Sequence, residues 1–219
     1  MFVAARLPDP ALALLTSAMA AGKQLDRVHY LKGKALLEKN QSAAALASFQ
    51  KSLALNPKAI DSVVAVAEIY SLQGNHARSF EMMQRALKID PQSVPTLRHF
   101  TVEAMKSGHT SAAAESALQL ISRSQSPEDL YLAGAVLLDA KQEENALHAL
   151  QSYVAARPDD AQGWLAFGLA NERLSHTGEA TKAYDRSLQL NPNLAESEFH
   201  LGLLSKLQND TSAATRHFE

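Results

Sequence analysis

Few side chains in this sequence could do chemistry, and they are scattered. Of the eight histidines, none forms an HExxH motif or another paired spacing that would turn two imidazoles toward one metal ion. The absence of cysteine removes thiolate ligands, a thiol nucleophile and any disulfide framework together. Paired carboxylates stand at Glu143-Glu144 and Asp159-Asp160. Both pairs fall where helices are predicted to begin, and a helix N-terminus attracts negative charge without any catalytic need. No glycine-rich phosphate loop and no nucleophile elbow is present. The expectation is no catalytic residue, no metal, no cofactor and no enzymatic activity within these residues. Asn40 and Asn209 head Asn-x-Ser/Thr triplets, which matter only on a secretory route.

Composition narrows the remaining classes. The chain has 219 residues and is 46% hydrophobic but only 6% aromatic, with alanine at many apolar positions. A core rich in alanine requires close helix–helix approach, so an all-helical packing is expected. The net charge of −2, from 21 basic and 23 acidic residues, lacks the basic footprint that phosphate backbones demand, so nucleic acid is not an expected partner. No apolar run reaches the roughly 18–20 residues that span a bilayer. Arg6, the apolar stretch Ala11–Met19 and Ala18-Met19-Ala20 look weakly like a secretory leader. Asp9 and two prolines at its start favour an amphipathic helix instead, and the compartment stays unassigned.

The elements that position these residues announce themselves by repetition. A column of small residues reads Gly33, Ala67, Thr101, Gly134, Gly168 and Gly202, in steps of 34, 34, 33, 34 and 34 residues. Ala45, Ser79, Ala113, Ala146, Ala180 and Ala214 keep the same phase. Prolines recur at Pro57, Pro91, Pro158 and Pro192, with Gln125 in the missing place. Within the fifth unit Trp164, Phe167, Gly168 and Asn171 mark one helix face, and Ala180, Tyr184, Ser187 and Leu188 a second. The turn between them carries Ser175, whose equivalents are Asn40, Gly74, Gly108, Lys141 and Asn209. Gly and Asn tolerate the left-handed backbone that closes a helix. Each proline then stops the second helix and forces its predecessor out of the α region.

Trp164, Phe167-Gly168, Ala180, Tyr184 and Pro192 together resemble the tetratricopeptide repeat signature. That resemblance covers nearly the whole chain. It is weakest in the third unit, where Thr101, Ala104 and Ala117 replace Gly, Tyr and Phe; Lys32 and Asn171 are further departures. It implies an all-α fold, a right-handed α-solenoid of stacked antiparallel helix hairpins. The repeats are read as 26–59, 60–93, 94–126, 127–160, 161–194 and a partial 195–219, after the end of a preceding repeat over 1–25, all one solenoid domain. Both ends fall in mid-unit, as expected of a piece of a longer protein. Gly or Ala on the first helix lets the second approach closely, and Phe49, Leu150 and Tyr184 are expected to fill space against the next unit. The polar connector Ser122–Pro127 is expected to be either a hinge or an irregular loop that packs normally.

In this family the first helices line a concave groove that holds a protein or peptide. Carried over, the resemblance gives one row of Tyr30, Val64, Arg98, Tyr131, Leu165 and Phe199, and one turn on, Lys34 and Glu68 lead a second row. His99 and His200 hold equivalent groove positions, while His76, His109 and His176 fall at turns and are expected to be solvated. The family's carboxylate clamp is absent, since its places hold Tyr30, Lys34, Ala65, Pro95 and His99. The leading expectation is a protein-interaction scaffold or adaptor, whose binding weakens when Tyr131 or Phe199 becomes alanine. The alternatives are a homo-oligomer stacked through open ends, Ala11–Ala18 and Leu203–Phe218, and a substrate-recruiting arm of a larger enzyme.

Overall fold

A computed structural model describes residues 25–218, and every regular element among them is an α-helix. The partial repeat and leader-like stretch expected before residue 25 lie outside the described residues, as does the open end at Ala11–Ala18. The helices divide into two compact units between Gly108 and His109. The first unit holds α1 (Leu25–Glu38), α2 (Ser42–Leu55), α3 (Ile60–Leu72), α4 (His76–Ile89) and α5 (Val94–Lys106). The second holds α6 (Thr110–Arg123), α7 (Pro127–Asp139), α8 (Glu143–Ala156), α9 (Ala161–Arg173), α10 (Thr177–Leu190), α11 (Ala195–Leu207) and α12 (Thr211–Phe218). Within each unit every helix packs on the next in antiparallel order, and in the second unit α7 also touches α9.

Local chemistry explains each reversal. Asn40, Gly74, Gly108, Lys141, Ser175 and Asn209 all have φ between 57° and 79°, the left-handed conformation that ends a helix. Lys141 and Ser175 adopt it without being Gly or Asn, so the position imposes it. At the other stop Asn56, Asp90, Arg157 and Asn191, each before a proline, have φ from −140° to −131°. Ser124 takes the same extended form, φ −135° and ψ 136°, although Gln125 replaces the proline. The connector that follows is tied down rather than loose. Ser124 Oγ and Ser126 Oγ both donate to Asp129 Oδ2, and Asp129 is fully buried.

The small column works by contact. A Cβ on Gly33 would lie 2.4 Å from the Phe49 ring, on Gly134 2.5 Å from Leu150, and on Gly168 2.5 Å from the Tyr184 ring. Each large side chain thus covers the glycine of its own hairpin. Two of them also reach the next, as expected: Phe49 joins a core cluster with Ala65, Val66 and Ile69, and Tyr184 one with Leu194, Leu201 and Leu204. Buried hydroxyls stitch successive hairpins. Ser52 Oγ meets Ser62 Oγ at 2.7 Å, and the equivalent Ser187 and Ser197 meet at 2.5 Å.

Candidate functional site

In the first unit the row begins on α1 and α3. Tyr30 is half-buried, with its ring 5.8 Å from that of Phe49. One turn on, the exposed Lys34 holds its ammonium 5.9 Å from the Tyr30 ring centroid, where the electron-rich face attracts a cation. Val64 is half-buried and Glu68 exposed on α3. These four line one groove of about 470 Å³, together with Asp61, Asp90, Pro95 and His99. Arg98, the row's residue on α5, is half-buried, and the groove lining takes its neighbour His99 instead. The Tyr30 phenol is pushed above its ordinary pKa by burial first and then by the negative charges of Asp61 and Glu68.

A second groove, of about 410 Å³, shares Glu68 and His99 with the first and continues along α3 and α5 past Leu72, Met83 and Val102 to Lys106. Leu72 is 85% exposed, an unusual place for leucine. Glu103 also lines this groove and is 5% exposed. Burying a carboxylate requires hydrogen-bond partners. Ser71 Oγ donates to its Oε1 at 2.7 Å, and His76 Nδ1 lies 3.0 Å from its Oε2. His76 is therefore a structural partner of Glu103, which corrects the expectation that it is simply solvated.

In the second unit the row's residues have other work. Tyr131 on α7 is half-buried against Tyr153, ring centroids 5.0 Å apart. Its phenol is raised by burial, then by Asp160 and Glu196. Tyr153 donates its own hydroxyl to Asp160, and burial with that bond pushes its phenol up to about 12. Leu165 on α9 is 4% exposed, inside the cluster around Tyr184. His200 on α11 stacks on the Tyr184 ring at 5.2 Å, and its Nδ1 lies 2.9 Å from Glu172 Oε2. The same oxygen accepts the Tyr184 hydroxyl at 2.6 Å. Phe199 stands out, 52% exposed and edge-on to His200.

Sequence reasoning did not single out Asp61 or Asp90. Asp61 was within reach, since it lies three residues before Val64 and seven before Glu68 on one helix face. Asp90 sits in the extended stop after α4, where no helical period applies. Among the described residues no three His, Asp or Glu side chains converge as a metal site, and no helix is long and apolar enough to cross a membrane.

Helix hairpins closed by left-handed turns, with a small residue under each large one, define a helical-repeat protein. The family model of the tetratricopeptide repeat matches residues 30–94 and 131–195, and the chain belongs to that family. The unmatched stretch between, 95–130, takes in all but the first residue of 94–126, where the resemblance in sequence is weakest. The chain is 23% identical over 209 residues to the peroxisomal targeting signal receptor of Candida albicans, covering 91% of this chain and 35% of that protein. It thus spans about a third of that relative's length. It is similar in fold to YrrB, a TPR protein with an unusual peptide-binding site, at a TM-score of 0.77 and 16% identity over 84% of this chain and 95% of that one. MamA from Desulfovibrio magneticus RS-1 gives a TM-score of 0.68 at 21% identity over 73% of this chain and 90% of that one. A fold of this family is a protein–protein interaction scaffold.

Proposed function

We propose that this chain is an adaptor that holds an extended peptide or partner helix in the groove of its first unit. The observation that carries the reading is the groove of about 470 Å³ that gathers Tyr30, Lys34, Val64 and Glu68. That volume lies within the usual range of ligand sites, and its mixture of aromatic, aliphatic and charged walls suits a peptide more than a small apolar molecule. YrrB has a peptide-binding site, and the Candida albicans relative is a targeting-signal receptor, which supports the same reading. Among the groove row of the second unit, Phe199 offers an exposed apolar contact of lesser extent.

The test is selection of a displayed random dodecapeptide library on the immobilised chain, followed by titration of the selected peptides. Peptides that bind the parent and lose about tenfold or more in affinity to Tyr30→Ala/Val64→Ser support the groove. Peptides that bind both chains equally exclude it. Sedimentation across a concentration series distinguishes the rival: a dimer unaffected by those substitutions points to self-association through another surface.

A further inference from the structure

We infer that the first-unit groove selects a peptide carrying a basic side chain and, about three residues away, a large apolar one. The inference rests on the groove reading above and names the chemistry of its occupant. Three carboxylates, Asp61, Glu68 and Asp90, line the groove against one ammonium, Lys34. That ammonium is already drawn over the Tyr30 ring, 5.9 Å from its centroid, as an internal stand-in for a ligand cation. The Tyr30 phenol is raised by burial first, with the charges of Asp61 and Glu68 adding to it against the opposing charge of Arg27. A basic side chain therefore gains both Coulomb attraction and an aromatic face, whereas an acidic one meets a lining with more carboxylates than ammonium groups.

Spacing follows from helix geometry. The midpoint between Asp61 and Glu68 lies seven to eight residues before Leu72 on α3, about 11 Å along the axis at 1.5 Å per residue. About three residues of extended chain cover that length. Beyond Glu68 the second groove offers Leu72 and the half-buried Val102, with Leu72 85% exposed. A ligand whose cation lies among the carboxylates thus brings an apolar side chain about three residues away to this aliphatic wall. Lys106 at its far end disfavours a second cation there.

The experiment uses the full chain and a blocked hexapeptide, acetyl-Ala-Arg-Ala-Ala-Leu-Ala-amide, with versions carrying citrulline or Glu in place of Arg. Backbone amide shifts are followed by NMR at low ionic strength, where exposed charges act with least screening. The Arg peptide is expected to shift amides of α1, α3 and α5 and to bind about tenfold more tightly than the Glu version. Asp61→Asn/Glu68→Gln, exposed substitutions that leave the fold intact by circular dichroism, should bring that ratio within about twofold. Lys34→Ala, by removing the competing ammonium, should strengthen the Arg peptide. Equal binding of all three peptides at those amides overturns the cationic preference and leaves the groove reading standing. So does silence at those amides from all three hexapeptides while library-selected peptides shift them. If neither set shifts the groove amides, both inferences fall together.

Discussion

Residues 25–108 and residues 109–218 use the same backbone devices and put different side chains on them. Both close hairpins through a left-handed residue, both seat a large side chain on a glycine, and both pair buried serines at equivalent places. In the first unit the row on the first helices stays partly open: Tyr30 and Val64 are half-buried, Lys34 and Glu68 exposed, and a groove runs between them. In the second, Leu165 is 4% exposed, Tyr131 lies against Tyr153 and His200 is held by Glu172 and Tyr184, while Phe199 stays open at the row's end. A repeat backbone therefore specifies where a surface can be. Side-chain size and hydrogen bonding decide whether a given repeat uses that position for binding or for its own core.

The largest effects should come from what the units share. Gly168→Leu in the second unit and Gly33→Leu in the first each drive a side chain into a ring already 2.5 or 2.4 Å from where Cβ would stand. Each should cost about 1–3 kcal/mol or more, read as a fall in Tm. An unchanged Tm in either variant breaks the claim that both units pack alike.

Next come the two carboxylate networks, one buried and one partly exposed. Tyr184→Phe removes a donor from Glu172, and Ser71→Ala removes one from Glu103. Each should lower stability by about 1–3 kcal/mol in urea unfolding, with the greater loss at Glu103, which is 5% exposed. Equal and negligible losses would mean that the histidine partners alone satisfy both carboxylates.

The pH dependence differs between the units in degree, since the raised phenol of Tyr30 gives the first a smaller alkaline effect than the second. Burial first, then Lys51 and Lys32, hold the pKa of His29 below its ordinary value. The unfolded chain therefore binds more protons at this site than the folded one, and stability falls as pH drops through about 6.5. His29→Leu should flatten that acid limb. In the second unit Tyr153, raised to about 12, and Tyr184, raised further by burial and Glu172, act in the opposite direction. Their contribution is full below pH of about 10 and is lost above it, as unfolding releases protons that the folded phenols retain. Phenolate absorbance followed with pH should show these two tyrosines ionising last. Smallest of all, Phe199→Ala should change stability by no more than about 0.5 kcal/mol, because that ring is 52% exposed.

Much of the architecture was legible because it is written periodically. The Gly33, Gly134 and Gly168 column, the Asn and Gly turn residues and the X-Pro stops each encode a backbone requirement that recurs about every 34 residues. What lay beyond the sequence depends on non-periodic contacts. Nothing in the spacing of Leu165 distinguishes it from Val64, yet the core around Tyr184 takes in the first. His76 read as a turn residue because its partner, Glu103, is 27 positions away. Asp90 joins the groove from a helix stop, which no face-of-helix argument reaches. The repeat thus reveals the scaffold, and individual side chains reveal the surface.

The most direct test of the central claim is calorimetric titration of one library-selected peptide into three chains: the parent, Tyr30→Ala/Glu68→Ala and Tyr131→Ala/Phe199→Ala. The account expects the first double variant to lose about tenfold or more in affinity and the second to stay within about threefold of the parent. A peptide that ignores the Tyr30 and Glu68 changes and loses its affinity with Tyr131 and Phe199 would contradict it and move the working surface to the second unit.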